Sequence, residues 1–424
     1  MDSIASTSKP ITSTPESSFD ISGGCRAFIE PDGVEELLKP LIEAGSTSIC
    51  FSNCSFGLEA AVIAAPILLS ISEQLTEVDL SDFMARRPET EALEVITIFS
   101  EALQESDLRY LNISNNALGE KGVRAFGQLL RSQCNLEELY LMNDGISEQA
   151  AKAVCDLIPS TKKLKVLHFH NDMTGDEGAI SIARLVIKSP VLEDFRCSST
   201  RVGPQGGFVL SEALGNSTNL KKLDLRDNMF GVIAGIALSE SLLVFSNLTE
   251  VYLSYLSLED EGTIAIVNAL KNSASALEVL EMAGNDITSE AAPALAACLT
   301  AKNATLTKLV LSENELKDIG AIVIANALFK DEFGKLTEVD LSTNEIRTAG
   351  ARVLSQAVVG KPWFKLLNIN GNYISDEGVD NLKEIFRKFP NVLGPLDDND
   401  PEGEEYDDDT EDELESKLKD FQIK

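Results

Sequence analysis

The spacing of leucines constrains this chain more than any other feature of its sequence. In the segment LEELYLMND, leucines occupy Leu136, Leu139 and Leu141, and Asn143 and Asp144 follow them. The same L-x-x-L-x-L frame returns along most of the 424 residues, with first positions at Leu75, Leu108, Leu136, Leu164, Leu192, Leu220, Leu248, Leu277, Leu306, Leu336 and Phe364. Such a steady period indicates stacked units that share one core.

The interval between these frames predicts the architecture. Most frames begin 28 to 30 residues after the preceding one, and a degenerate copy containing Ile49 and Phe51 precedes them, which gives about 12 repeats. In leucine-rich repeats of this length a short parallel strand is followed by a helix. We therefore predict an α/β solenoid of ribonuclease-inhibitor-like repeats, shaped as a horseshoe or crescent, with parallel strands on the concave face and helices outside.

The pattern divides the chain into four segments. Residues 1–24 are rich in Ser, Thr and Pro, which predicts a disordered leader. Residues 25–45 contain apolar residues at helical spacing, which predicts a helix that caps the first repeat. The repeats fill residues 46–394, and the strongly acidic segment 395–424 is predicted to be a disordered tail.

Charge and composition exclude several functional classes. A formal net charge of −32 argues against binding to nucleic acid or to an anionic membrane, and for a basic partner or a highly solvated surface. The sequence lacks the run of about 18 apolar residues that membrane insertion requires. Seven scattered cysteines and two histidines give no metal-binding spacing, so we expect no cofactor in this chain. The common nucleotide-binding, hydrolase and metalloprotease motifs are also missing, which argues against an autonomous enzyme.

Two irregularities mark candidate functional residues. The frame that follows Leu75 begins 33 residues later, at Leu108, and the excess places Arg86 and Arg87 on a loop after the strand. A tolerated surface insertion is the alternative interpretation of this loop. Asn143 precedes the position that asparagine occupies in most repeats, taken here by Asp144, and it is therefore expected to project from its loop.

Several segments closely resemble the Ran GTPase-activating protein family, particularly its plant members, and the resemblance covers roughly residues 25–424. The segments that carry it are LTEVDLSDFMARRPE, LEELYLMNDGISE, FHNDMTGDEG, DLRDNMFG, LSENELKD and the acidic PLDDNDPEGEE. The resemblance implies a crescent that accelerates GTP hydrolysis by GTP-bound Ran, the small GTPase of nuclear transport. GTP and Mg²⁺ would then belong to the partner GTPase. We expect a monomer, and whether a Ran-binding protein assists stays open.

The resemblance also implies a mechanism and a set of site residues. Members of the family are understood to hold the GTPase's own catalytic glutamine in place with an asparagine, without supplying an arginine finger. That asparagine falls on Asn143. An arginine on the lengthened repeat matches Arg86, with Arg87 as its ambiguous neighbour. The other residues expected to contact the partner lie on these two loops or on the corresponding loops of neighbouring repeats, and are Asp82, Asn115, Asp144 and Asn171.

The resemblance also bears on where the protein is located in the cell. Plant members usually carry an N-terminal domain marked by Trp-Pro-Pro that targets them to the nuclear envelope. The single tryptophan here is Trp363, inside the last repeat. We therefore expect a cytoplasmic protein without that domain, which makes nuclear-envelope association doubtful. The alternative function is a non-catalytic binding scaffold or inhibitor that uses the inner wall of the repeats.

Overall fold

The computed structural model describes residues 17–23, 26–330 and 334–404. Its strands are β1 Ser18–Asp20, β2 Ala27–Ile29, β3 Ser48–Cys50, β4 Cys54–Phe56, β5 Glu77–Asp79, β6 Tyr110–Asn112, β7 Glu138–Met142, β8 Val166–His170, β9 Asp194–Ser198, β10 Lys222–Asp224, β11 Glu250–Tyr252, β12 Val279–Glu281, β13 Lys308–Val310, β14 Glu338–Asp340 and β15 Leu366–Asn368. Its helices are α1 Val34–Glu43, α2 Leu58–Ile71, α3 Glu89–Ala102, α4 Gly119–Ala125, α5 Gly127–Ser132, α6 Glu148–Leu157, α7 Gly175–Ile187, α8 Pro204–Leu214, α9 Gly231–Leu242, α10 Glu259–Asn272, α11 Ala292–Lys302, α12 Lys317–Lys330, α13 Thr348–Val358 and α14 Asp376–Ile385.

The strands form one long parallel sheet that follows the order of the chain. Its order in the described residues is β1-β3-β5 and then β6 to β15 without interruption, while β2 and β4 pair separately. Leu111, Leu139 and Leu167 lie side by side on neighbouring strands. The leucine frames therefore become rows of buried side chains between the sheet and the helices. The predicted leucine-rich-repeat solenoid is confirmed.

Alternation along each strand separates the core from the concave face. In β7, Leu139 and Leu141 are buried, whereas Glu138, Tyr140 and Met142 point to the opposite side and are half-buried. This period of two is what an extended strand imposes on its side chains. The residues that lie between the leucines therefore form the inner wall of the solenoid.

A ladder of buried asparagines stabilises the loops that follow the strands. Asn285 is typical, since its Nδ2 donates to the carbonyl oxygens of Leu253 and Ala283 and its Oδ1 accepts from the backbone N–H of Leu256 at 3.0 Å. Its own backbone N–H donates to Oδ1 of Asn314 in the next repeat at 2.9 Å. Each amide thus satisfies backbone groups that would otherwise be buried without partners.

The N-terminal end differs from the prediction. Ser18–Asp20 forms strand β1, which pairs with β3, and Phe19 packs against Phe51. The prediction of a disordered leader is therefore wrong for these residues, because pairing with an otherwise open sheet edge orders them. A helix does form at Val34–Glu43 and packs against α2. Residues 1–16 and 24–25 lie outside the described residues.

The C-terminal end is also more ordered than predicted. Oδ1 of Asn399 accepts from the backbone N–H of Asn372 at 2.9 Å, which extends the asparagine ladder beyond the last strand. Arg347 Nε donates to the carbonyl oxygen of Gly403 at 2.8 Å. The prediction of a disordered tail from residue 395 is therefore wrong as far as residue 404. The predicted tail beyond it, 405–424, lies outside the described residues.

Candidate functional site

The loops after the strands share one backbone feature. The residue that precedes each buried ladder position has a positive φ in every repeat, and these residues are Asn53, Asp82, Asn115, Asn143, Asn171, Ser199, Asp227, Tyr255, Gly284, Glu313, Thr343 and Gly371. Asparagine and aspartate tolerate this left-handed conformation better than most residues. We call this line of residues the loop row. It brings Asp82, Asn115, Asn143 and Asn171, all predicted site residues, to one edge of the sheet.

Asn143 lies at the centre of a hydrogen-bonded chain within the loop row. Its Nδ2 donates to Oδ1 of Asn115 at 2.6 Å, and Nδ2 of Asn171 donates to its Oδ1 at 2.7 Å. All three side chains are exposed. A primary amide has two donors and two lone pairs. Asn143 therefore keeps one N–H and one lone pair for a molecule that binds at this edge, with its amide plane fixed from both sides.

Asp144 has a structural position instead of a surface one. Its side chain is fully buried, and its Oδ1 accepts from the backbone N–H of Asn116 at 2.8 Å. The prediction that Asp144 contacts a partner is wrong, because the turn at Asn143 directs the next side chain into the loop interior. Asp144 replaces the asparagine of the buried ladder.

A second ladder aspartate follows in the next repeat. Oδ1 of Asp172 accepts from the backbone N–H groups of Asp144 and Ile146 at 3.0 Å each. Within the part of the chain that the structure describes, Oδ2 of Asp144 and Oδ2 of Asp172 have no hydrogen-bond partner. Burial raises the pKa of Asp172 to about 6 and the pKa of Asp144 well above its ordinary value. A protonated carboxyl can donate as the asparagine Nδ2 does in other repeats.

Asp172→Asn is expected to make the stability of this region less dependent on pH. Between the unfolded pKa of about 3.9 and the folded pKa of about 6, the folded chain binds more protons, so the free energy of unfolding falls as pH rises through this range. Asparagine does not titrate and keeps a donor. The variant should be more stable than the parent by about 3 kcal/mol at pH 7.5, with the gain shrinking towards pH 4.

Urea unfolding of the parent and the variant at the two pH values measures this difference. Asp227→Asn is the matched control, since Asp227 lies in the loop row and is exposed. A stability gain of the same size at pH 4 and pH 7.5 would contradict the raised pKa of Asp172 in the folded chain.

The two candidate arginines both lie on the lengthened loop, residues 81–88, but their side chains have different surroundings. Arg86 has a φ of 66° and its side chain is exposed. Arg87 turns inward, where Nε donates to Oγ of Ser55 at 3.1 Å and Nη2 donates to the Ser55 carbonyl oxygen and to Oε1 of Glu30 at 3.0 and 2.8 Å. The prediction of Arg87 as a partner contact is therefore replaced by a structural role. Arg86 is the arginine available at the surface.

The N-terminal segment supports this loop from the other side. Arg26 forms an ion pair with Asp82, and the guanidinium of Arg87 lies 5.7 Å from the ring centre of Phe28. Glu30, which bonds Arg87, belongs to the same segment. Sequence reasoning missed this support, because Arg26, Phe28 and Glu30 lie more than 50 residues before the loop and carry no motif. Their proximity appears only once β2 and β4 have paired.

The inner wall beside the loop row combines aromatic and charged side chains. The rings of Tyr110 and Tyr140 lie 5.4 Å apart, and Tyr140 meets His168 edge-on at 5.0 Å. His168 Nε2 lies 2.9 Å from Oδ1 of Asp194. Among the described residues, no group of three histidine, cysteine, aspartate or glutamate side chains is placed to hold a metal ion. That part of the chain also contains no helix with the length and hydropathy to cross a membrane. The wall suits contact with another protein.

Comparison with known proteins identifies close relatives. A family model described as leucine-rich repeat matches residues 106–127, 216–239, 302–325 and 335–355. The chain is 69% identical over 400 residues to RAN GTPase-activating protein 2 of Arabidopsis thaliana, which covers 94% of this chain and 73% of the relative. It is 65% identical over 390 residues to RAN GTPase-activating protein 1 of the same plant, which covers 92% and 72%.

Solved structures agree on the fold. An internalin from Listeria monocytogenes superposes with a TM-score of 0.51 at 16% sequence identity, covering 82% of this chain and 85% of the internalin. At this identity the likeness concerns the repeat architecture alone.

Proposed function

Because the chain belongs to the Ran GTPase-activating protein family, we propose that it stimulates GTP hydrolysis by Ran. Identity of 65 to 69% extends over more than nine tenths of this chain and therefore includes the loop row and the lengthened loop. One observation supports a role for a particular residue. The amide of Asn143 is exposed and is held between Asn115 and Asn171.

In the proposed mechanism, Asn143 acts on the catalytic glutamine of Ran. In small GTPases this glutamine orients the attacking water, and catalysis depends on positioning and electrostatics. The remaining N–H and lone pair of Asn143 match the acceptor and donor of a glutamine amide. Since Asn115 and Asn171 already fix the Asn143 amide, little of its freedom remains to be lost when the glutamine binds. Asn143 contributes position and no charge.

Arg86 supplies a different interaction in this proposal. Its loop follows β5, whereas Asn143 follows β7, so one strand lies between them. Two strand spacings correspond to roughly 10 Å along the sheet. A guanidinium offers a planar fork of donors to a carboxylate or to backbone carbonyls. Arg86 is therefore proposed to bind the surface of Ran and not to act as an arginine finger.

Substitution of the two arginines should have different effects. Arg86→Ala is expected to weaken the complex with GTP-bound Ran or lower the rate moderately, with unchanged stability, because its side chain is exposed. Arg87→Ala should cost about 1 to 3 kcal/mol of stability in the loop, since buried groups lose charged donors. Titration with Ran measures the first effect, and hydrogen exchange of residues 81–88 measures the second. If Arg86→Ala and Arg87→Ala raised the hydrogen exchange of this loop equally, the assignment of a structural role to Arg87 alone would be wrong.

We further propose that the chain acts as a cytoplasmic monomer and that GTP and Mg²⁺ arrive with Ran. The net charge of −32 is compatible with a basic region on the partner. A Ran-binding protein is proposed as an accessory whose need can be tested by adding it to the same assay.

The first experiment is single-turnover GTP hydrolysis by Ran with catalytic amounts of this chain, beside a Ras-type GTPase as the control. Acceleration of Ran alone, with turnover of the activator, supports the proposal. Binding without acceleration would favour the alternative, a scaffold or inhibitor that uses the inner wall. In that case the substitutions in the loop row should leave hydrolysis by Ran unchanged.

A further inference from the structure

A groove with a volume of about 730 Å³ opens between the lengthened loop and the next repeat. One wall is formed by residues 84–87 and the N-terminal half of α3, and the other by residues 115–122. At the start of α8, a methyl group on Gly206 would lie 2.7 Å from Cα of Asp176 in the preceding helix. A methyl group on Gly122, in α4, would instead have its closest contacts with Leu118 of the same repeat. The space between α3 and α4 is the groove.

The groove has an apolar interior and a charged margin. Its lining includes the buried residues Met84, Ile96 and Leu118 and the half-buried residues Ala92 and Leu93. The margin carries Arg86, Glu89, Glu120 and Lys121. An apolar centre with a polar rim is the usual anatomy of a protein-binding surface.

An ion pair between Lys121 and Glu89 bridges this margin. Lys121 Nζ lies 2.7 Å from Oε1 of Glu89, and the two side chains are 72% and 68% exposed. Ion pairs as exposed as this one contribute little to stability. The bridge can therefore open or exchange partners when another protein covers the groove.

The position of the groove limits what can occupy it. Arg86 and Asn115 both line it, and Asn115 bonds Asn143 directly. A protein that contacts Arg86 and the loop row together must therefore lie across the opening of the groove. Its occupant belongs to that same protein.

We propose that this groove is a binding subsite for an apolar side chain, aliphatic or aromatic, on the surface of GTP-bound Ran that faces Arg86 and Asn115. The inference rests on the proposed function and adds a contact to it. A contact made equally before and during hydrolysis changes the affinity of the complex and leaves the rate within the complex unchanged. The groove thus holds Ran in position while Asn143 acts on the glutamine.

Filling the groove tests the proposal. Ala92→Phe places a large side chain inside it, and Ala237→Phe is the matched control, because Ala237 is a half-buried alanine in a groove of about 570 Å³ between α8 and α9. We expect Ala92→Phe to weaken binding of GTP-bound Ran at least tenfold, which corresponds to about 1.4 kcal/mol. The hydrolysis rate at saturating activator should stay unchanged, and Ala237→Phe should alter neither quantity. Affinity equal to that of the parent chain in a folded Ala92→Phe variant would overturn the subsite.

A second measurement does not depend on that variant. Photoreactive p-benzoylphenylalanine in place of Lys121, an exposed residue at the margin of the groove, should crosslink to an aliphatic or aromatic residue of Ran, and the yield should be higher with GTP-bound than with GDP-bound Ran. A crosslink confined to a charged segment of Ran, or the absence of any crosslink from a chain that still accelerates hydrolysis, would overturn the proposal. Failure of the proposed function looks different, since the parent chain itself would then not accelerate Ran.

Discussion

Asn143→Gly is expected to remove most of the stimulated hydrolysis, by roughly 100-fold, while the affinity for GTP-bound Ran stays nearly unchanged. Glycine is the informative substitution because Asn143 has a φ of 58°, a conformation that glycine adopts without strain. The variant thus loses the amide alone. Asn143→Ala should show the same loss of rate together with a left-handed backbone cost of about 1 to 2 kcal/mol.

Single-turnover hydrolysis and equilibrium binding, measured on the same preparations, separate the possible roles of Asn143. Thr343→Gly is a matched control, since Thr343 occupies the same position of the loop row seven repeats away with a φ of 53°. That variant should retain both rate and affinity. If Asn143→Gly loses affinity and rate in parallel, Asn143 is a contact residue and the glutamine-positioning mechanism is wrong.

Phe99→Ala is expected to give the largest loss of stability, about 3 to 5 kcal/mol. Phe99 lies in α3, is fully buried, and has ring centres of Phe51, Phe56 and Phe83 within 5.1 to 6.1 Å. Its removal leaves a cavity at the junction of the first two repeats. Since Phe83 belongs to the loop that carries Arg86, activation of Ran should fail at a lower temperature than in the parent chain.

The loss should also be local, because repeats contact mainly their neighbours. Hydrogen exchange is expected to rise across the N-terminal repeats after Phe99→Ala and to change little beyond α9. Phe386→Ala provides the mirror control, since Phe386 is buried at the opposite end of the array. It should increase exchange near α14 and leave activation intact. A uniform rise in exchange after either substitution would contradict the local model.

The fold could be predicted from the sequence because its signal is local and repeated. Leucines at fixed spacing determine both the strand and the row to which each side chain belongs, as Leu111, Leu139 and Leu167 illustrate. The ends were harder to predict. Strand β1 contains three residues of mixed polarity, and its order comes from pairing with β3, which no local pattern in residues 18–20 reveals.

The sequence predicts which residues belong to the candidate site, but it does not predict how they are arranged. Asn115, Asn143 and Asn171 recur at intervals of 28 residues, but their hydrogen-bonded chain requires the strands to lie in register. Sequence could not separate Arg86 from Arg87, because the inward turn of Arg87 depends on Glu30, 57 residues earlier. The burial of Asp144 follows from the backbone turn at Asn143.

The spacing of strands in the parallel sheet also fixes the distances between residues of the loop row. Successive strands lie about 4.8 Å apart, so the distance between the Arg86 loop and Asn143 is counted in whole strands. Duplication of one repeat between β5 and β7 would move the two groups apart by one further step while every strand still found a neighbour of the usual kind. Such a chain would fold, but if Arg86 and Asn143 both contact Ran, as proposed, their separation would no longer match the distance between the two contacted groups on Ran. Under that proposal, the number of repeats between β5 and β7 is set by the dimensions of the GTPase, whereas repeats beyond β9 are free of that constraint.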